Sequence, residues 1–362
     1  MKESTLKKLN LILCSVLVLA LSAAFVVLPR RTFSDNENRA LAAAPDTSAR
    51  SVFSGDFDTA FETWFTDHFP FRDFWIGLKA YTKQYTGSLE NNDVYFAADG
   101  YLIRRFQTYD ERTLVQNAEL IREFCTDYDV QPNILLVPTA AGTRSSLLKA
   151  GSYNLDQDAL IAHAEELLGY AVIDIDTAAD PFYFRTDHHW NAYGALQGYR
   201  AVCEQVLHKE PEAFSMTVVS DDFRGTMYSR SGAFLHAGED IVRPDHEGLE
   251  ATVTLEDGTV HNSLFFEDRL TEKDKYMYYL DGNHAFESIE TNVHNGRHAL
   301  ILKDSYAHIL IPFLAAEYEC IDMIDLRYFR GNASDYLRDE TDVWFIYSLD
   351  NFCEDPYLVF LK

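Results

Sequence analysis

The chain has 362 residues, 47% of them hydrophobic and 14% aromatic, and a formal charge of −26 from 57 acidic and 31 basic residues. That is enough apolar material for one large core, or a core with a smaller appendage. The acid excess repels polyanions and argues against nucleic acid as a partner.

Leu11 to Leu28 is almost wholly apolar, with Cys14, Ser15 and Ser22 as the exceptions. At about 1.5 Å per residue such a run comes close to spanning bilayer hydrocarbon. Lys2, Lys7 and Lys8 precede it, and the positive-inside bias puts the N-terminus in the cytoplasm despite Arg30 and Arg31 beyond. A small-residue site at Ser22-Ala23-Ala24 would suit a cleaved signal peptide. Apolar Phe25 to Leu28 continue past it, which favours a retained anchor. In either case the rest of the chain is expected outside the cytoplasm.

Residues 31–51 read as a linker. Phe53 to Tyr85 carries Phe57, Phe61, Trp64, Phe65, Phe74, Leu78 and Tyr81 at near-helical spacing, broken at Pro70. Asn91-Asn92-Asp93, Val94-Tyr95-Phe96 and Asp99-Gly100 predict a short hairpin. From Arg112 helix and strand patterns alternate. Leu114, Ala118, Ile121, Phe124 and Tyr128 form a helical stripe, and Ile134 to Val137 is a continuous apolar strand of the parallel-sheet kind. A helix is expected over Leu155 to Tyr170, a strand at Ala171 to Ile175, and a helix over Asn191 to His208. Three further strands follow at Ala299 to Lys303, Cys320 to Ile324 and Val343 to Tyr347. This pattern predicts an α/β fold, a three-layer α/β/α sandwich around a mainly parallel sheet.

Residues 209–296 interrupt the alternation with a polar, turn-rich insertion. It contains a hairpin at Ala251 to Leu255 and Val260 to Phe266 around Asp257-Gly258. The expected organisation is an anchor at 1–30, a linker and aromatic helical region at 31–90, and a main domain at 91–362 that holds the insertion. The insertion is either a lid over the site or decoration. Of five cysteines Cys14 lies in the apolar run, and Cys125, Cys203, Cys320 and Cys353, with no CxxC spacing, read as buried free thiols, although an exported chain permits a disulfide of undeducible connectivity.

The chemistry concentrates in two places. Asp187 and His189, two apart on a segment read as extended, would point to one side and His188 to the other. Asp187 would then orient one imidazole nitrogen while the other faces a nucleophile. The alternative is a structural pair capping the helix near Asn191. Ser305 directly follows an apolar strand, where nucleophiles of open α/β sheets collect. Tyr306 would add a backbone N–H for an oxyanion, and Asp304 would cap the turn. Metal binding by Asp187, His188, His189 and His308 is the chemical rival, without a supporting H-x-x-x-H helix. His284, His294 and His298 lie in polar sequence and are expected to be solvated.

The sequence resembles the DHHW family of bacterial exported proteins, in Asp187-His188-His189-Trp190 with Asn191 and Gly194, and in Lys303-Asp304-Ser305-Tyr306. Phe33 to Arg39, Phe65 to Asp73 and Asn91 to Tyr101 carry further signatures in order. It is similar, more distantly, to the SGNH-like domain of alginate O-acetyltransferases. The resemblance implies an SGNH hydrolase-like fold with Ser305 as nucleophile, His189 as base and Asp187 as its orienting partner, and no cofactor or metal. It further implies acyl transfer to cell-envelope or exported polysaccharide outside the membrane, with a membrane-bound O-acyltransferase as supplier. Esterase activity and glycan binding without turnover are the alternatives. Lys303 stands where a Gly-Asp-Ser motif has glycine, and the usual oxyanion blocks are not evident. Arg327, Tyr328 and Asn351 are further candidates for substrate contact.

Overall fold

The computed structural model describes residues 3–361; Lys2, one of the lysines ahead of the apolar run, lies outside them. The chain forms two compact units, residues 1–88 with 232–235, and residues 89–231 with 236–362.

The first unit begins with α1 (Glu3–Val27), whose segment Thr5–Val27 is long and apolar enough to cross a membrane and has no buried part. Two short strands, β1 (Phe33–Ser34) and β2 (Arg39–Ala40), pair antiparallel. Helices α2 (Ala49–Ser54), α3 (Asp56–Asp67) and α4 (Arg72–Tyr85) follow, with the break at Pro70 falling between the last two. Charge pairs explain why polar residues recur in both N-terminal signatures. Arg39 donates to both oxygens of Asp67 at 3.0 and 2.5 Å, Arg72 pairs with Glu37, and Arg31 grips Asp73 at 3.1 and 3.2 Å. Asp67 is buried, and the Arg39 hydrogen bond holds its pKa below the usual carboxylate value.

The second unit opens with a three-stranded sheet. β3 (Glu90–Asn91) turns into β4 (Val94–Phe96) through Asn92 and Asp93, both at positive φ (53° and 61°), the type of turn residue a tight hairpin needs. β5 (Leu102–Arg104) completes it. Next come α5 (Glu111–Asp127), β6 (Pro132–Val137), α6 (Ala140–Thr143), α7 (Gln157–Leu168) and α8 (Ala192–Val202). Asp110, Asp156 and Asn191 cap α5, α7 and α8 through their side chains. The strand expected at Ala171 to Ile175 is reduced to one bridge, Val172 with Ile134. Beyond that bridge the Gln205 side chain takes over both backbone groups of Asp174, at 3.0 and 2.7 Å, and ends the ladder.

The insertion is more sheet than its composition suggested. It supplies β7 (Ser215–Phe223), α9 (Thr226–Ser231), β8 (Glu239–Asp245), β9 (Ala251–Leu255), β10 (Val260–His261) and β11 (Phe286–Thr291). β7 and β8 pair with each other, and β9 and β10 form the expected hairpin. β9, β10 and β11 then extend the main sheet. After them come β12 (His298–Lys303), α10 (Ile311–Leu314), β13 (Cys320–Ile324), β14 (Thr341–Ser348) and α11 (Leu349–Glu354).

The seven-stranded sheet has the order β10-β9-β11-β13-β12-β14-β6. β13, β12, β14 and β6 run parallel, and β11, β9 and β10 add antiparallel strands along one edge. Every residue of β12 is buried, as its unbroken apolar run requires of a central parallel strand. From β12 the chain moves to β13 on one side, then crosses to β14 on the other. That reversal opens a crevice at the carboxyl end of β12, the usual ligand position in such sheets. Asp304 and Ser305 stand there.

All five cysteines are free thiols, with Cys125, Cys203 and Cys353 buried. His298 departs from its expected solvation. It starts β12, is 5% exposed, and bonds to Asp322 at 2.9 Å and Thr341 at 2.8 Å. A polar neighbourhood in sequence became a buried polar pair once β12 and β13 were aligned.

Candidate active site

Residues 184–189 form a tight loop, closed by a bridge between Tyr183 and Trp190 and by the Phe184 N–H donating to the His189 carbonyl at 3.2 Å. This corrects the extended reading of the segment. His188 does not diverge from His189: their ring centroids are 3.9 Å apart. The geometry follows from an Asx-type turn, in which Asp187 Oδ1 accepts the backbone N–H of His189 at 3.0 Å. The same oxygen holds His189 Nδ1 at 2.5 Å, and His189 Nε2 lies 2.8 Å from Ser305 Oγ. Asp187 and His189 are buried, and Ser305 is half-buried. The three residues expected to act together are thus joined by one imidazole.

Asp187 Oδ2 is equally engaged, by the Thr226 N–H at 2.7 Å and the Thr226 hydroxyl at 2.9 Å. Burial by itself would raise the Asp187 pKa. The adjoining imidazoles of His188 and His189 and the hydrogen bonds from His189 and Thr226 outweigh it and hold it well below the ordinary value. The His188 pKa is lowered too, to about 4, by burial and then by His189, and its Nδ1 meets the Thr226 hydroxyl at 2.7 Å. Tyr276 lies flat on the His189 ring, centroids 3.8 Å apart and planes within 7°, and donates its hydroxyl to the Ser305 carbonyl at 2.8 Å. Burial pushes its phenol pKa well above the usual value, so a neutral ring faces the imidazole.

The serine turn is held from below. Asp304 Oδ1 accepts the Tyr306 N–H at 2.8 Å. Its Oδ2 accepts the Ser348 N–H and hydroxyl at 2.9 and 3.0 Å and the Asn351 amide at 2.8 Å. The Trp190 indole donates to the Tyr306 carbonyl at 2.8 Å, and the Tyr306 hydroxyl donates to the His188 carbonyl. The tetrad loop and the serine turn therefore brace each other directly.

Residues 170–324 match the model of the DHHW protein family. The resemblance read from the sequence holds, and the match contains both the DHHW loop and the serine turn. The alginate biosynthesis protein AlgX of Azotobacter vinelandii is 34% identical over 134 residues, which are 29% of this chain and 27% of AlgX. The match thus spans about a quarter of that relative. Among solved structures, a DHHW family protein of Eubacterium siraeum superposes with a TM-score of 0.63 at 24% identity, covering 75% of this chain and 95% of that one. Bacillus cereus PatB1, solved with a sulfonyl adduct, gives 0.60 at 22% identity over 74% and 100%. These two likenesses establish a shared fold.

The remaining candidates fare differently. Tyr306 is 1% exposed and its N–H is taken by Asp304, which removes the open oxyanion donor expected of it. Asn351 is half-buried and donates its amide to Asp304. Arg327 is bonded to Asp325 through Nε and Nη2, the latter at 2.6 Å, and reaches Asn283 at 3.1 Å. It shares a small cavity with Asp304 and Asn351. Tyr328 is 53% exposed. Lys303 in the DHHW serine motif is buried, with Nζ 2.6 Å from His308 Nε2 and 3.5 Å from Glu287. Burial pushes Glu287 up to about 7, and burial beside the Lys303 ammonium depresses His308. His308 is not among the candidate ligands that the fold gathers. Asp187, His188 and His189 do offer ligand atoms within 4.8 Å of one another. Those atoms are already committed to Thr226, to Ser305 and to each other.

Four site residues escaped the sequence reading: Gly225, Thr226, Glu239 and Tyr276, all from the insertion. Glu239 accepts the N–H groups of Arg185 and Thr186 at 2.6 and 2.7 Å and so fixes the DHHW loop. Gly225 is demanded by space: a Cβ there would sit 2.2 Å from Asp187 Oδ2. Gly225→Ala must push the carboxylate off His189. Misplacement on the 1 Å scale costs about 10²-fold in rate, and overpacking costs about 1–3 kcal/mol. Ester turnover and the melting temperature of the variant check both.

Proposed function

We propose that this chain is an extracytoplasmic O-acyltransferase, held in the membrane by α1 and built on a three-layer SGNH-like sandwich. It would carry an acyl group, acetyl being the expected one, on Ser305 to a hydroxyl of cell-envelope or exported polysaccharide. The observation that carries this reading is the single imidazole of His189, bonded to Asp187 on one side and Ser305 on the other. The likeness to AlgX, an alginate biosynthesis protein, supports a polysaccharide acceptor.

In the first half-reaction Ser305 Oγ attacks the acyl carbonyl while its proton passes to His189 Nε2. Asp187 steadies the imidazolium and keeps the Nδ1 proton in place. Collapse of the tetrahedral intermediate expels the donor's leaving group, which takes the proton from His189. A sugar hydroxyl then attacks the acyl-serine, gives its proton to His189, and collapse returns that proton to Ser305 Oγ. Water in place of the sugar makes the same machinery an esterase. Acyl donors made in the cytoplasm require a membrane-bound O-acyltransferase to pass the group outward.

One observation favours a second reading, glycan binding without turnover: the Tyr306 N–H is bonded to Asp304 and unavailable to an oxyanion. Acid quenching during turnover of a chromogenic acetyl ester, followed by peptide mapping, decides between them. Acetyl on the Ser305 peptide is the expected result. A wild-type protein that neither releases chromophore nor acquires acetyl sinks the enzyme. Added oligosaccharide that emerges O-acetylated identifies transfer, and free acetate alone identifies hydrolysis.

A further inference from the structure

The end of α1 is joined to the aromatic helices behind it. Phe25, in its last turn, sets its ring edge-on to Trp64 with centroids 5.5 Å apart and against Phe65 at 4.9 Å, both on α3. The Arg30 guanidinium lies over Phe25 at 4.0 Å and Trp64 at 5.0 Å, and donates to the Phe25 and His68 carbonyls at 2.6 and 3.3 Å. The apolar segment of α1 is 23 residues long. At about 1.5 Å per residue it exceeds the roughly 30 Å of bilayer hydrocarbon. Phe25, two residues from its end, therefore falls at the hydrocarbon boundary, and α3 is fixed beside it.

Helices α2 to α4 leave large apolar groups in the open. Phe53 is 90% exposed, Phe71 61%, Phe74 60% and Tyr85 86%. On α4, Phe74, Leu78 and Tyr85 fall four and seven apart and make one stripe, with Phe71 just ahead at the helix cap, while Gly77 and Ala80 are buried. A monomer in water rarely exposes so continuous an apolar surface. Aromatic side chains concentrate instead at the headgroup level of membranes. Charge agrees with this. Residues 29–88 hold 8 acidic and 7 basic groups, whereas 48 acidic and 21 basic groups lie after residue 88. An anionic leaflet repels the second set and is indifferent to the first.

We infer that the aromatic face of α2 to α4 lies in the interfacial zone of the bilayer that α1 crosses. The first unit is then held to the membrane along its surface as well as through its span. This rests on the anchored reading proposed above, and the experiment separates the two.

The full chain is placed in liposomes whose lipids carry bromine either near the headgroup or deep in the acyl chain, and tryptophan emission is read. Trp190 and Trp344 are fully buried, so Trp64 and Trp75 supply the quenchable signal. The expected result is loss of most of that emission with the shallow bromine and little loss with the deep one. Trp64→Phe combined with Trp75→Phe removes the quenching. Phe71→Ser, Phe74→Ser, Leu78→Ser and Tyr85→Ser together abolish the Trp75 part while the protein stays in the membrane. An alkaline carbonate wash is read on the same sample. Release of the chain overturns the anchor and the inference together. Retention without bromine quenching overturns the inference alone. Cross-linking between copies through α4, in place of quenching, assigns the face to a second copy and equally overturns it.

Discussion

Asp187→Asn is expected to lower ester turnover by about 10⁴-fold with little change in KM. The size of the effect follows from where the donors are. Oδ2 of Asp187 accepts both the Thr226 N–H and hydroxyl, and Oδ1 accepts the His189 N–H together with the ring Nδ1. An asparagine has one oxygen to offer four donors. Pointed at Thr226, that oxygen leaves the NH₂ facing His189, so Nδ1 must become an acceptor and the proton moves to Nε2. The imidazole then has nothing with which to accept the Ser305 proton. Pointed at His189, it sets the NH₂ against the Thr226 N–H and forfeits a buried hydrogen bond, at about 1–3 kcal/mol. The first arrangement keeps both Thr226 bonds, gives up the one from the His189 N–H, and is the one the expected loss of turnover requires. Turnover that falls less than tenfold would show that the Asp187 charge is not needed for turnover.

The same geometry shows which part of the site could be read from sequence. Asp187 and His189 stand out because the turn that joins them is local, and Ser305 because its strand is a continuous apolar run ending in a polar residue. Asp304 was legible as a cap, and it does accept the Tyr306 N–H. Its larger role, gathering Ser348 and Asn351, needs β14 beside β12. That adjacency is a fact of sheet order rather than of sequence spacing. Thr226 and Tyr276 are further removed. They come from polar, turn-rich sequence with no period to mark a face, and touch Asp187 and His189 only through tertiary closure. The insertion thus completes the candidate site and also widens the sheet by three strands. Its strand β11 alternates rather than runs apolar, with Glu287 and Ile289 buried, and so lacks the signal that revealed β12. His188 was misplaced for a related reason. The two-residue period holds for strands, and the Asx turn at Asp187 folds the loop so that both imidazoles approach the carboxylate.

The second large effect concerns the support beneath the nucleophile. Asp304→Ala is expected to destabilise the folded chain by upwards of about 3 kcal/mol, since each buried donor left unpaired costs about 1–3 kcal/mol. Four donors converge on this carboxylate: the Tyr306 N–H, the Ser348 N–H and hydroxyl, and the Asn351 amide. All are left facing an apolar methyl, in a position 1% exposed where water has little access. Asp304→Asn should cost less, because its carbonyl oxygen still satisfies one side of the turn; about 1–3 kcal/mol corresponds to the donors it abandons. The ordering wild type, Asn, Ala in thermal midpoint is the result to look for. Turnover measured well below the melting temperature separates stability from positioning. The Ser305 turn loses the tie between Tyr306 and β14, so Oγ no longer meets His189 Nε2, and the rate should fall by at least about 10²-fold. An alanine variant that melts like wild type would mean that the Asp304 N–H to Ile346 carbonyl bond, 3.1 Å long, suffices to hold the turn.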